Sequence, residues 1–173
     1  MGETRLTHIS INADDVEEST RFYTEVFGLE PIPTPDYGDP IQWLRCGDVH
    51  IHLVTKGVEA PDFHHFALHV EDFEGVYRAL EAFESASFDC LGDPAEEFDA
   101  DGNPPVYRTK GGTLQLYVRD PSGNKVEINH PNDDVDRSVA KHVVDRHEVA
   151  EPPADRGEVK MYTDELLADV GRS

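Results

Sequence analysis

The sequence predicts an α+β fold, with two βαβββ modules forming a curved mixed sheet and a C-terminal extension behind them. Three observations carry this expectation. The chain repeats itself, each repeat reads as strand, helix and then strands, and the strands alternate between apolar and polar residues.

The repeat shows first in residues 8–18, HISINADDVEE, and 65–75, HFALHVEDFEG. Each opens on His, alternates as a strand does, and turns acidic where a helix would begin. The two copies lie 57 residues apart (8 to 65), and the same offset carries Asp15 onto Asp72. In the segments that follow, Val16, Phe22, Tyr23, Val26 and Phe27, and then Phe73, Val76, Tyr77, Leu80 and Phe83, recur at helical spacing. Asp14 or Asp15, and Asp72, suit the N-cap, where a short carboxylate accepts from free backbone N–H groups.

A hairpin ends each repeat. IQWLRCGDVHIHLVT breaks at Gly47-Asp48, and TLQLYVRDPSGNKVEINH breaks at 120–124, Asp-Pro-Ser-Gly-Asn, a strong turn sequence. A weaker strand precedes each, near 30–34 and 87–91. The domain therefore spans 1–131, with module one at 4–57 and module two at 62–131. Segment 92–112 is a Gly/Pro/Asp-rich insertion, placed to border a site as a lid. Its 99–103 stretch lacks the spacing and closing Glu of a calcium loop and reads as a solvated turn. Residues 132–173 are an acidic extension expected to be partly helical: Val135, Val139 and Val143 suggest one amphipathic helix and 163–170 a short second one.

Strand alternation sorts the polar residues. His8, Ser10 and Asn12 share one face, as do His50 with His52, His65 with His69, and Lys125, Glu127 and Asn129. The apolar residues between them suit packing under the helices, so the polar faces gather into one cavity. Parity leaves His50 and His52, and likewise His65 and His69, as alternatives; His64 falls on the other face. Repeat position selects further. His8 and His65 are equivalent, and His52 and Glu127 both sit in the last strand of a hairpin. The expected metal ligands are therefore His8, His52, His65 and Glu127. Three imidazoles and one carboxylate suit a divalent transition metal (Zn, Ni, Fe, Co or Mn) better than Mg or Ca, which favour oxygen shells. Trp43, Arg45, Tyr117 and Arg119 share the cavity face and are expected to contact substrate, an Arg gripping a carboxylate in bidentate fashion.

Composition narrows the partners. Asp and Glu number 36 against 15 Lys and Arg, for a formal net charge of -21. That excess repels nucleic acid and anionic membranes. Only five of the basic residues are Lys, and such a surface suits concentrated salt, which screens its self-repulsion. The chain thus reads as halophilic. It shows no apolar run of membrane-spanning length and no signal-peptide pattern, so the expected location is cytoplasmic. Cys46 and Cys90 form no metal-binding pair and read as core residues.

Taken together, LTHISINADDVEESTRFYTEVFGLEP, WLRCGDVHIHLV, HHFALHVEDFEGVYRALEA and LYVRDPSGNKVEINHP resemble the vicinal oxygen chelate superfamily over about residues 4–131. This superfamily includes glyoxalase I, methylmalonyl-CoA epimerase, fosfomycin-resistance thiol transferases, extradiol dioxygenases and bleomycin-resistance proteins. The resemblance implies an open metal cup with ligands at His8, His52, His65 and Glu127, within one chain or shared across a homodimer. His52 departs from the pattern: glyoxalase I has a carboxylate there, the epimerase an amide, and the transferases and dioxygenases use only the other three positions. The implied activity is glyoxalase-like isomerase or lyase chemistry. A small substrate with adjacent oxygens would react through a metal-stabilised enediolate, with Glu127 as the catalytic base. An extradiol-type dioxygenase, or a binding and resistance protein of the same fold, is the alternative.

Overall fold

A computed structural model of the chain describes residues 4–109, 111–131 and 134–146. It has the mixed α+β architecture that the sequence predicts. Module one runs β1 (His8–Asn12), α1 (Val16–Phe27), β2 (Glu30–Ile32), β3 (Ile41–Cys46) and β4 (Val49–Val54). Module two runs β5 (His65–His69), α2 (Phe73–Ala82), β6 (Ser87–Asp89), α3 (Pro94–Glu97), β7 (Val106–Arg108), β8 (Leu114–Arg119) and β9 (Lys125–His130), and β10 (Val143–Asp145) follows.

The first sheet has strand order β1-β4-β3-β2, and the second β10-β7-β8-β9-β5 with β6 paired to β8. In both, the opening strand lies parallel to the last hairpin strand, β1 on β4 and β5 on β9, and the hairpin itself is antiparallel. The registers correspond. Trp43 faces His52 across one hairpin and Tyr117 faces Glu127 across the other. Ser10 and Ala67 flank those positions on the opening strands.

Helix α1 begins where the Asp15 carboxylate accepts from the amides of Glu17 and Glu18, at 2.9 and 3.0 Å. It ends at Gly28, whose φ of 69° only glycine adopts cheaply. The Asp72 carboxylate caps α2 through the Gly75 amide at 2.8 Å. A Cβ at residue 75 would come within 2.2 Å of that carboxylate, so a larger residue there would make the Asp72 side chain shift. Both helices bury their apolar stripes, Phe22, Tyr23 and Val26 from α1 and Phe73, Val76, Tyr77 and Leu80 from α2, against Leu44, Ile51, Leu116, Val126 and Ile128 of the sheets. They also meet each other, with the Phe22 and Phe83 rings edge to face at 5.3 Å.

The 120–124 turn locks the modules together. Asp120 accepts from the Ser122 and Asn124 amides, from the Asn124 side chain and from the Tyr23 hydroxyl of α1. Asn124 in turn donates to the Asn12 carbonyl at 2.8 Å, and Ser122 accepts from the Asp14 amide at 2.9 Å. Burial is the main force raising the carboxyl pKa of Asp120, and these donors act against it.

Two segments differ from the sequence expectation. The insertion at 92–112 contains α3 and the edge strand β7, which pairs Tyr107 with Gln115. Residues 135–143 form no helix. Val135, Val139 and Ala140 bury in the core, and Val143 pairs with Val106 in β10. An open β7 edge rewards pairing with a β-branched segment more than an isolated helical turn would. The expected helix at 163–170 lies outside the described residues. Cys46 is half-buried, and Cys90 is buried, each as a free thiol. The 99–103 turn closes on itself, with Asp99 accepting from the Asp101 and Asn103 amides. No helix among the described residues is long and apolar enough to cross a membrane.

Candidate metal centre

Each module contributes one pair of candidate ligands. In module one, the His8 ring stacks on the His52 ring with centroids 4.3 Å apart and planes 12° from parallel. Trp43 covers the other side of His52 at 4.2 Å and 5°. Burial is the largest influence lowering the His52 pKa, followed by the neighbouring His8 and His50. The imidazole is therefore kept neutral, the form that binds metal. Its Nε2 is buried and has no hydrogen-bond partner.

Module two holds His65 Nε2 3.0 Å from Glu127 Oε2. His65 Nδ1 lies 3.0 Å from the Phe63 carbonyl, which can only accept, so the proton sits on Nδ1. A neutral His65 then points a lone pair at a carboxylate oxygen. That arrangement calls for a cation between or beside them, or for a second proton on the ring. A backbone carbonyl fixing the far nitrogen is the usual support of a metal-binding His. Glu127 is 6% exposed. It accepts from Gln115 Nε2 at 2.6 Å and from the Tyr117 hydroxyl at 3.0 Å. Burial first, and then the Glu127 charge, push the Tyr117 pKa far up, so its hydroxyl stays a donor.

The donor chemistry of both pairs fits a transition metal, but one chain does not join them. Among the described residues, no three His, Cys, Asp or Glu side chains come close enough to hold an ion. His8 and His52 form one candidate pair and His65 and Glu127 the other. The opening strands β1 and β5 each lie at the free edge of their sheet. His8 and Ser10, and His65 and Ala67, are exposed there. Their unpaired edges can accept another strand.

The remaining expected site residues separate. Trp43 faces the cup on His52, and Arg45 lies exposed on the same face, opposite His50. Tyr117 contacts Glu127 directly. Arg119 is committed elsewhere: its guanidinium donates to Asp89 at 2.6 Å and to the Gly123 and Asp62 carbonyls. It fastens the linker to the turn, so a substrate carboxylate would have to displace three protein partners. His50 keeps 6.3 Å from His52, and His64 is exposed. Strand parity had placed Lys125 on the cup face but could not show its partners. Lys125 donates to the Cys90 carbonyl at 2.7 Å and pairs with Asp89 at 3.0 Å.

Insertion and extension close over module two. Leu91, Phe98, Tyr107 and Val144 pack with Cys90 and Tyr117 in a second small core beside Glu127. The Tyr107 hydroxyl donates to Glu97, Arg146 lies over the Tyr107 ring at 4.9 Å, and Arg108 grips Asp145. His142 completes the seam at the Glu97 carbonyl. Among the described residues, module one has no such cover.

Comparison with known proteins agrees with this architecture. The family model described as "Glyoxalase/Bleomycin resistance protein/Dioxygenase superfamily" matches residues 5–128. A biphenyl-2,3-diol 1,2-dioxygenase of Metapseudomonas furukawaii is 29% identical over 153 residues, covering 82% of this chain and 46% of that protein. The chain thus spans about half the length of the dioxygenases it matches. A protein named as a lactoylglutathione lyase from Vibrio parahaemolyticus is 27% identical over 141 residues, covering 74% and 91%. The crystal structure of a glyoxalase family protein from Bacillus anthracis superposes with a TM-score of 0.56 at 22% identity, covering 76% and 98%; at that identity it speaks for the fold alone.

Proposed function

Since the chain belongs to the glyoxalase/bleomycin resistance protein/dioxygenase superfamily, we propose that it is a metal-dependent, glyoxalase-like isomerase or lyase acting on a small substrate with two adjacent oxygens. The observation that carries this is the buried Glu127 carboxylate facing the fixed imidazole of His65. His8, His52, His65 and Glu127 are the ligands. One copy supplies His8 and His52, and a second copy supplies His65 and Glu127 across the open β1 and β5 edges, in a homodimer.

A divalent transition ion bound there would supply Lewis-acid stabilisation of negative charge growing on neighbouring substrate oxygens. The protein does the rest. Glu127 takes the proton from one substrate carbon and returns it to the next, as the one carboxylate among the four ligands. Gln115 and Tyr117 donate to it and hold its orientation. Trp43 and Arg45 contact the substrate, and Tyr117, buried beside Glu127, acts through that carboxylate. Arg119 is left out of that set, because its three partners already occupy it.

A dioxygenase reading is favoured by the identity to the biphenyl-diol enzymes. It would use His8, His65 and Glu127 as a two-His, one-carboxylate set with open positions for substrate and oxygen. His52 argues against it, because a fourth ligand fills one of those positions. Elemental analysis, followed by assays of protein reloaded with each metal, separates the two. Loss of a hemithioacetal with nickel, cobalt or zinc is the expected result. Iron-dependent oxygen uptake with a catechol, and no isomerase activity with any metal, would replace the proposal with the dioxygenase reading.

A further inference from the structure

The cup face of module one changes character along its strands. Its cross-strand pairs are Arg45 with His50 at one end, Trp43 with His52 in the middle and Ile41 with Val54 at the other end. At the positions equivalent to Ile41 and Val54, module two carries Gln115 and Asn129. An amide pair in one module is thus an aliphatic pair in the other.

A cavity of ≈ 580 Å³ opens in front of this aliphatic end, beside His8 and His52. That is the size of a small-molecule site. Tyr37, Ile41, Trp43 and Val54 form its apolar lining. The Trp43 indole lies nearly parallel to the His52 ring, which fixes its plane, and the Tyr37 ring stands 6.4 Å from it. Tyr37 is 62% exposed, so its ring is accessible from the cavity. Asp39 and Lys56 also line the cavity, and they neutralise each other at 2.8 Å.

We propose that this cavity seats a flat, uncharged hydrocarbon group of the substrate, such as an aryl ring, with the adjacent oxygens directed to the His8–His52 side. The proposal rests on the cup being the substrate site, and it holds for either reaction there. The walls select by shape and by exclusion of water. An aryl group gains dispersion against Trp43 and removes apolar surface of Ile41 and Val54 from solvent. A carboxylated tail would meet no free cation among the residues lining the cavity, on a protein whose net charge is already -21.

Trp43 is the one tryptophan of the chain, so its fluorescence reads the seat directly. The probes are 1-phenylethane-1,2-diol and propane-1,2-diol, which share adjacent oxygens and differ as phenyl against methyl. Titrated into the full-length protein, metal-free and metal-loaded, the phenyl diol is expected to bind at least about tenfold more tightly. Ile41→Asp and the nearly isosteric Val54→Thr are expected to shrink that preference while metal content stays at the parent level. Equal affinity for the two diols, or a full preference retained in both variants, would overturn the proposal. Failure of the enzymatic reading looks different: metal binding or turnover is missing, and the phenyl preference persists.

Discussion

At every cup-facing position the two modules can be laid side by side, and their differences divide the labour of the site. His8 corresponds to His65, Trp43 and His52 to Tyr117 and Glu127, and Ile41 and Val54 to Gln115 and Asn129. Module one is open and aromatic, with its candidate ligand rings stacked at a half-exposed surface. Module two is closed and polar, its carboxylate held by two donors under a second small core. An identical frame has thus been filled once for receiving an apolar group and once for holding a buried charge. The energetic reason lies in the cover. A buried carboxylate is stable only when hydrogen-bonded or paired, and the insertion and β10 enclose the side that supplies those partners.

The largest break in the comparison comes from removing the feature unique to module two. Glu127→Gln keeps the shape but leaves one acceptor oxygen for the two donors Gln115 and Tyr117, and it removes the base and one anionic ligand. Turnover is expected to fall by at least about 10³-fold, measured as kcat, with an unchanged circular dichroism spectrum. A loss of less than tenfold would remove Glu127 from the chemistry.

Next comes the residue that sets module one apart. His52→Ala is expected to weaken metal binding by at least about tenfold in a chelator competition, because it deletes a ligand and the ring on which His8 and Trp43 stack. Parent-level affinity would mean that three ligands suffice and that the dioxygenase-like arrangement is the better description.

A third prediction concerns what supports the closed module. Burial, the largest influence on Asp89, raises its pKa, but the Cys90 amide, Lys125 and Arg119 outweigh it and hold the carboxyl below its usual value. A depressed folded-state pKa stabilises above the unfolded value, and that contribution is lost as pH falls through the folded one. Asp89→Asn is therefore expected to cost about 2 kcal/mol at neutral pH, leaving the buried Lys125 without its counter-charge. Chemical denaturation should show the deficit narrowing as pH drops below the ordinary carboxylate range. A deficit that stays constant with pH would show that the ion pair is not its source.

The smallest effect is expected at the seam. Tyr107→Phe removes the hydrogen bonds to Glu97 and Leu91 and should lower stability by about 1 kcal/mol, with kcat changed less than about twofold. A large loss of turnover would make the insertion and extension part of the chemistry rather than its cover.

Much of this division was legible in the sequence. Strand parity put His8, His52, His65 and Glu127 on cup faces because side chains alternate whatever the tertiary context. The 57-residue offset paired His8 with His65 because both open a module. What parity could not give was how the modules pack. Internal symmetry is the same whether the cup closes within a chain or between chains, so the separation of the two ligand pairs emerged only from the sheets. The Arg119 clamp was hidden because its partners, Asp62, Asp89 and Gly123, come from three separate segments. The extension misled for a local reason: valines at i, i+4 spacing satisfy a helix, but two of them bury in the core and the third completes the edge of β7.

The claim that most needs testing is that each half-site is completed by another copy of the chain. One variant carries His8→Ala and His52→Ala, the other His65→Ala and Glu127→Gln. Unfolded together and refolded as a mixture, they can form a mixed dimer in which one of the two sites is intact. The account predicts that neither variant alone retains metal on elemental analysis, and that the mixture recovers about a quarter of the parent content from random pairing. A mixture holding no more metal than the separate variants would place the centre within a single chain and contradict the account.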